Sequence, residues 1–206
     1  MPHISISPPV LYFGTPVVLL TTCDPTGAAN ITPMSSAWAL ADRIVLGLGS
    51  SSQGLENLRT RPECVLNLPS AELWESVEKI ARATGRARVP PHKARIGYEY
   101  VGDKFALGGF DELPSRFVRP PRIGQCPLQI EARVVDIHET GGALSTDRSD
   151  IPMIVETQVL HVHAQDGIVV QGTDHIDTTR WKPLFYVFRH YFGIGPDLGR
   201  TFKADR

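Results

Sequence analysis

Two short clusters of hydroxyl and amide side chains stand where apolar runs end, and they are the residues of this chain best suited to hold a ligand. The first is the stretch Asn30-Ile-Thr-Pro-Met-Ser-Ser-Ala-Trp38, with Asn30, Thr32, Met34, Ser35, Ser36, Ala37 and Trp38 as candidate contacts. The second is Ser50-Ser51-Ser52-Gln53, followed in a helix-permissive segment by Asn57 and Arg59. Small side chains let the N–H groups of a loop reach ligand oxygens, and a helix start adds positive potential. The pair therefore suits a flat ligand that carries a phosphate. Plainer roles stay open beside this one: serines recur at turns and caps, Trp38 suits the core of a strand, and Arg59 suits a solvated helix surface.

Other chemistries are poorly served. His161 and His163 lie two apart, on one face of a strand, and with His175 and Asp177 they suggest a metal. No carboxylate or cysteine stands at a tight ligand spacing beside them, so no metal is expected. His190 sits in the aromatic segment Trp181-Lys-Pro-Leu-Phe-Tyr-Val-Phe-Arg-His-Tyr-Phe-Gly193 and is the one candidate proton donor; no catalytic residue is assigned beyond it. A Ser-His-Asp hydrolase is unsupported, since no Gly-x-Ser-x-Gly elbow occurs.

The elements that must position these residues read mainly as strands. Val17 to Thr22 is β-branched and leucine-rich between Gly14-Thr15-Pro16 and Asp24-Pro25-Thr26-Gly27. Asn30 to Leu40, Arg43 to Leu48 and Glu63 to Leu68 follow as further strands, with a short helix over Gln53 to Thr60. Ser70 caps a predicted helix from Ala71 to about Ala83, with Leu73, Trp74, Val77, Ile80 and Ala81 at helical spacing. The proline-rich stretch from Arg86 to Pro121 is irregular, as lids and ligand loops are. Leu128 to Ile137 alternates as a strand with one wet face, and Ile154 to Ala164 with Ile168 to Gln171 reads as a hairpin around Gln165-Asp166-Gly167. The pattern predicts a β-rich fold with peripheral helices, closed as an antiparallel barrel because closure leaves no unpaired edge.

Composition narrows the function. With 206 residues, 42% of them hydrophobic and 21% charged, the chain is expected to form a single globular domain with its core over about residues 10–190 and a tail over about 191–206. A net charge of −1, with Lys and Arg scattered, argues against nucleic-acid binding. Cys23, Cys64 and Cys126 are far apart and odd in number, which fits buried thiols in a reducing compartment. No signal-like start and no membrane-length apolar run is seen, so no membrane association is expected and the expected location is the cytoplasm.

In their order, Tyr12-Phe-Gly-Thr-Pro-Val-Val-Leu-Leu-Thr-Thr, Asn30-Ile-Thr-Pro-Met-Ser-Ser, Glu56-Asn57-Leu58, Cys64-Val-Leu-Asn-Leu-Pro69, Asp103-Lys104-Phe105 and Pro120 to Glu131 resemble the flavin reductase-like proteins. The resemblance implies an FMN-binding split β-barrel of antiparallel Greek-key type, dimeric, with FMN held noncovalently near the subunit interface. It implies hydride transfer from NADH or NADPH to flavin or, as the alternative, a flavoredoxin-like carrier that trades electrons with a redox partner protein. A non-redox module for another planar ligand such as haem is a more distant reading. The loop Asn30 to Trp38 would then run along the isoalloxazine and ribityl chain, Ser50 to Gln53 with Asn57 and Arg59 would hold the phosphate, Lys104 would touch phosphate or nucleotide, and His190 would touch nicotinamide. The aromatic segment Trp181 to Gly193 is bulkier than the family's usual one.

Overall fold

The computed structural model describes residues 1–140, 150–199 and 201. Its strands and helices, in chain order, are β1 (Phe13–Pro16), β2 (Val18–Cys23), β3 (Ala29–Met34), β4 (Ala37–Leu40), β5 (Arg43–Gly49), α1 (Gln53–Thr60), β6 (Glu63–Leu68), α2 (Trp74–Ile80), β7 (Ala83–Thr84), α3 (Pro91–Ala94), β8 (Glu99–Tyr100), α4 (Lys104–Gly108), β9 (Glu112–Leu113), β10 (Arg122–Ile123), β11 (Leu128–Glu139), β12 (Pro152–Ala164), β13 (Phe185–Val187) and β14 (His190–Phe192).

A seven-stranded antiparallel sheet in the order β3-β2-β6-β11-β12-β5-β4 forms the body. All six residues of β2 are buried, the apolar Val18, Leu19, Leu20 and Cys23 together with Thr21, whose hydroxyl donates to the Pro121 carbonyl, and Thr22, whose hydroxyl accepts from Asn57 Nδ2. Val18 and Leu20 enter a core with Leu46, Leu55, Leu58 and Leu66, while Leu19 and the preceding Val17 enter a second core with Val77, Ile80, Phe105 and Leu184. Successive strand side chains point to opposite faces, so a strand sandwiched between two cores has no wet face, and its two threonines find their partners inside the protein.

Four expectations are corrected. The sheet does not close into a barrel: β3 and β4, consecutive in the chain, sit at its opposite edges with no ladder between them. Ser35 and Ser36 break the run read as one strand from Asn30 to Leu40, and α1 packs on β2 and β3 on one side and on β5 on the other. A helix thus links the two ends of the sheet where a strand ladder would have closed it. The predicted helix at Ala71 begins instead as a 3-10 turn over Ala71–Leu73, Ser70 makes no side-chain cap, and Ala83 and Thr84 belong to β7, which pairs in parallel with β8. The partners of β12 are β11 and β5, whereas residues after Ala164 form the 3-10 turn Asp166–Ile168 and a bridge from Val169 to Ile176. Among the described residues no helix is long and apolar enough to cross a membrane.

A second sheet, β1-β13-β14, carries the aromatic segment. It is tied to the body where the Val17 amide donates to the Leu184 carbonyl at 2.9 Å. Tyr186 packs edge-on against Tyr12 with centroids 5.4 Å apart and lies 5.7 Å from Tyr191.

Candidate active site

A cleft of about 580 Å³ lies beside the gap between β3 and β4. One wall is the end of β3 and its exit, Thr32 to Ser36; the next is Gly47 to Gly49 of β5, continuing into Ser52 and Gln53 at the head of α1. The facing side comes from α2 and its exit (Val77, Glu78, Ala81, Thr84, Gly85), from Lys93, Tyr98 and Lys104, and from Tyr12, Tyr186, Arg189 and Tyr191 of the aromatic sheet and its approach. The walls approach closely because glycines stand where they meet. A Cβ on Gly47 would lie 2.8 Å from the Ser36 Cβ, and one on Gly54 would lie 2.6 Å from the Thr32 Oγ1. The Gly47 amide donates to the Ser36 carbonyl at 2.7 Å and holds the link against β5.

Of the residues singled out in the sequence, Thr32, Met34, Ser35, Ser36, Ser52, Gln53 and Lys104 line this cleft. The others are placed elsewhere. Asn30 is buried behind the wall, its Nδ2 donating to Thr32 Oγ1 at 3.1 Å and its Oδ1 lacking a hydrogen-bond partner. Ala37 and Trp38 lie on β4, with Trp38 57% exposed. Asn57 is buried, donating to Thr22 Oγ1 at 3.0 Å and accepting from Gln53 Nε2 at 2.8 Å, so it fastens α1 to β2. Arg59 is exposed on the last turn of α1. His190 is exposed and lines a neighbouring cavity.

The serine loop ahead of α1 is largely committed to the protein itself. Ser50 Oγ accepts the Ile151 amide at 2.9 Å, and Ser52 Oγ caps α1 by accepting the Leu55 amide at 3.1 Å. The Ser51 amide donates to Asp150 Oδ1 at 2.8 Å, its carbonyl accepts from Arg86 Nε at 2.8 Å, and its hydroxyl lies 3.4 Å from His92 Nε2. A carboxylate of the chain thus already sits at the loop amide. This follows the preference of a helix start for negative charge.

The cleft is lined by the cationic side chains of Lys93, Lys104 and Arg189 and the carboxylates of Glu78 and Asp150, and of these Lys104 is only 4% exposed. Its Nζ donates to the Ile31 carbonyl at 2.7 Å. Burial, helped by the nearby Lys93, pulls its pKa down to about 8. Burial also lowers Lys93, against the pull of Asp150. Burial raises Tyr98, with Asp150 adding to the effect. Tyr191 is raised by burial and by its hydrogen bond to Glu78 Oε2, 3.0 Å long. An ammonium group can donate three hydrogen bonds, so the single bond to Ile31 leaves Lys104 with capacity for a ligand.

Sequence reasoning missed Tyr12, Glu78, Thr84, Lys93, Tyr98, Asp150 and Arg189 as wall residues. The irregular stretch from Arg86 onward was the signal for Lys93 and Tyr98, and the aromatic segment was the signal for Arg189. Nothing in the local sequence marks Asp150.

Away from the cleft, His163 Nε2 lies 2.6 Å from Oε1 of the fully buried Glu131, whose oxygens also accept the amides of Arg116 (2.8 Å), Phe117 (2.6 Å) and Val118 (3.2 Å). His161 packs between Phe117 and His163 at 5.3 and 4.5 Å. Among the described residues no three His, Cys, Asp or Glu side chains stand close enough together to hold a metal. All three cysteines are buried and free, and burial pushes the Cys64 thiol up to about 12.

Residues 10–195 match the family described as the Flavin reductase like domain. The chain belongs to that family. It is 44% identical over 200 residues to the uncharacterized protein YdfE of Bacillus subtilis (strain 168), covering 97% of this chain and 93% of that one. Two solved structures share the fold. They are the flavoredoxin of Desulfovibrio vulgaris (Miyazaki F), at TM-score 0.76 and 19% identity over 99% of this chain and 100% of that one, and a flavoredoxin from Methanosarcina acetivorans, at TM-score 0.77 and 17% identity over 100% and 98%. The cleft fits the flavin that this family implies. It has the room, a wall with two glycines at Gly47 and Gly49, hydroxyls at Ser35, Ser36 and Tyr12, and cations at Lys93 and Lys104. Tyr12 and Ser36 are already paired, their hydroxyl oxygens 3.1 Å apart.

Proposed function

We propose that this flavin reductase-like protein is an NAD(P)H-dependent oxidoreductase that holds FMN in the cleft. The observation that carries the reading is a second cavity, also about 580 Å³, that adjoins the first and shares Glu78, Arg189 and Tyr191 with it. A protein that only stores electrons needs a cofactor cleft; one that turns over a reactant needs space beside it as well. FMN is favoured because one cationic group of side chains, Lys93 and Lys104, matches one phosphate.

In this reading Thr32 to Ser36 follow the ring system and ribityl chain, and Ser52 and Gln53 lie toward the phosphate with Lys93. Lys104 adds a buried positive charge, which favours a ligand that becomes more negative. Accepting hydride from nicotinamide and passing electrons on is the chemistry a flavin supplies when bound; the chain binds, orients and keeps water from the ring. Dimerisation belongs to the same proposal, supported by the exposed Trp38 and Leu40 on edge strand β4, an edge that invites a second copy. The cytoplasm remains the proposed location.

The test is an anaerobic visible spectrum of the FMN-loaded protein before and after adding NADH or NADPH. Bleaching of the flavin band is expected and identifies the donor. A flavin band that stays oxidised would turn the assignment to the electron carrier, the reading favoured by the likeness to flavoredoxins. Failure to take up FMN at all would defeat both.

A further inference from the structure

The loop between β5 and α1 holds an anion that belongs to the protein. The Ser51 amide donates to Asp150 Oδ1 at 2.8 Å, and Asp150 Oδ2 lies 3.7 Å from His92 Nε2, which is itself 3.4 Å from the Ser51 hydroxyl. Asp150 lines the same cleft as Gly49, Ser52, Gln53 and Lys93. Its charge is felt across that wall: burial lowers Lys93 and Asp150 opposes the shift, while burial raises Tyr98 and Asp150 adds to it. A Cβ on Gly49 would collide with both carboxylate oxygens, so this glycine is what admits the carboxylate to the loop.

The backbone beside Asp150 is fixed independently of this contact. The Ser50 amide donates to the Ile151 carbonyl at 2.8 Å, the Ile151 amide donates to Ser50 Oγ at 2.9 Å, and Pro152 then enters the β12 ladder opposite Gly49. An aspartate side chain turns about two bonds, so the carboxylate can leave the Ser51 amide while Ser50 and Ile151 keep the chain in place. An amide ahead of a helix start, with a lysine in the same wall, is a seat for an anion. Here a side chain of the protein has taken it.

We propose that Asp150 is a resident competitor for the phosphate of the ligand: its carboxylate holds the Ser51 amide, and a phosphate entering the cleft must turn it out to take that amide. The two anions cannot share one N–H, because like charges a few ångströms apart in a partly buried wall repel strongly. A ligand that binds only the conformer with the side chain turned out has its affinity reduced by the fraction of that conformer. Asp150 therefore loosens the hold on a flavin that carries a phosphate and leaves a flavin without one unaffected. The inference rests on the FMN reading for the identity of the ligand; the competition itself needs only a phosphate.

Fluorescence titration of the full-length, flavin-free protein with FMN and with riboflavin tests this, since the two ligands differ only in the phosphate. Asp150→Asn is expected to bind FMN about tenfold more tightly than the wild type and riboflavin within about twofold of it, so the preference for FMN rises about tenfold. A preference that stays the same or falls overturns the inference. A variant that has lost riboflavin as well also overturns it, because Asp150 would then build the loop instead of blocking it. Should the wild type bind neither flavin, the FMN reading fails and inorganic phosphate decides the rest. Thermal melts in potassium phosphate against potassium chloride of equal ionic strength should show a larger phosphate-specific rise in Asp150→Asn than in the wild type, and equal rises would overturn the competition.

Discussion

Glu131 and Lys104 are both buried charges, 0% and 4% exposed, and their surroundings are opposite. Glu131 is filled to capacity by three amides and an imidazole. Burial acts to raise its pKa, but the amides of Arg116 and Phe117 together with the His163 ring outweigh that and hold the carboxyl below its usual range. Lys104 has one carbonyl, and burial wins, leaving the ammonium easier to deprotonate. A charge that serves the fold is surrounded until nothing remains to bind; a charge that serves a ligand is left under-satisfied, and stability is lower for it.

Removing the filled charge should have the largest effect on the fold. Glu131→Ala leaves three amides of the 116–118 loop and the His163 ring without their acceptor and is expected to lose about 3–5 kcal/mol of stability. Urea denaturation of the variant measures this, and a midpoint equal to that of the wild type would break the comparison. Because the folded carboxyl titrates below its unfolded value, its contribution is present above the unfolded value and lost as pH falls through the folded one.

Lys104→Met sharpens the contrast from the other side. Its stability should stay within about 1 kcal/mol of the wild type, or rise, since a buried charge with one partner is removed. Its affinity for FMN should drop by about 10–100-fold, the worth of a charge-assisted bond, as read by fluorescence quenching. A Lys104→Met protein that binds FMN as tightly as the wild type would remove this lysine from the site.

The same lysine sets a pH dependence. With a folded value of about 8 against 10.5 for the unfolded chain, the ligand-free protein should grow more stable as pH rises from about 8 to 10.5, where the unfolded chain holds a proton that the folded one has released. FMN affinity should weaken over the same rise, as the ammonium that attracts the phosphate is neutralised. Parallel thermal melts and FMN titrations from pH 7 to 10 test both slopes, and a flat FMN affinity across that range would contradict the role given to Lys104.

Asn57→Ala should cost about 1–3 kcal/mol of stability, less than Glu131→Ala, by leaving Thr22 Oγ1 and Gln53 Nε2 without their partner. Flavin affinity per folded molecule is expected to hold. A loss of affinity at unchanged stability would mean that Asn57 reaches the ligand.

What the sequence made legible was what neighbouring residues decide. The buried run of β2, the short helix over Gln53 to Thr60 and the alternation of β11 each follow from periodicity and turn chemistry within a few residues. The break at Ser35 and Ser36 was hidden because strand-compatible residues flank it on both sides, and only the Gly47 approach shows why the chain turns there. In the cleft, the β3 exit and the head of α1 were legible as clusters of small polar residues. Asp150 was not, since it meets Ser51 from 99 residues away and no local pattern encodes such a meeting. Lys104 was visible as a residue, but its burial depends on packing between α4 and β3.

The placement of β3 and β4 also fixes when the site can exist. They belong to two early hairpins, β2–β3 and β4–β5, yet in the sheet these hairpins are joined only through β6, β11 and β12, the last of which ends at Ala164. Non-local pairings of this kind form late, because the loop-closure entropy is lost before the contacts reward it. A chain that ends before β12 carries both polar clusters without the strands that join their hairpins in one sheet, and without Tyr186, Arg189 and Tyr191 of the facing wall.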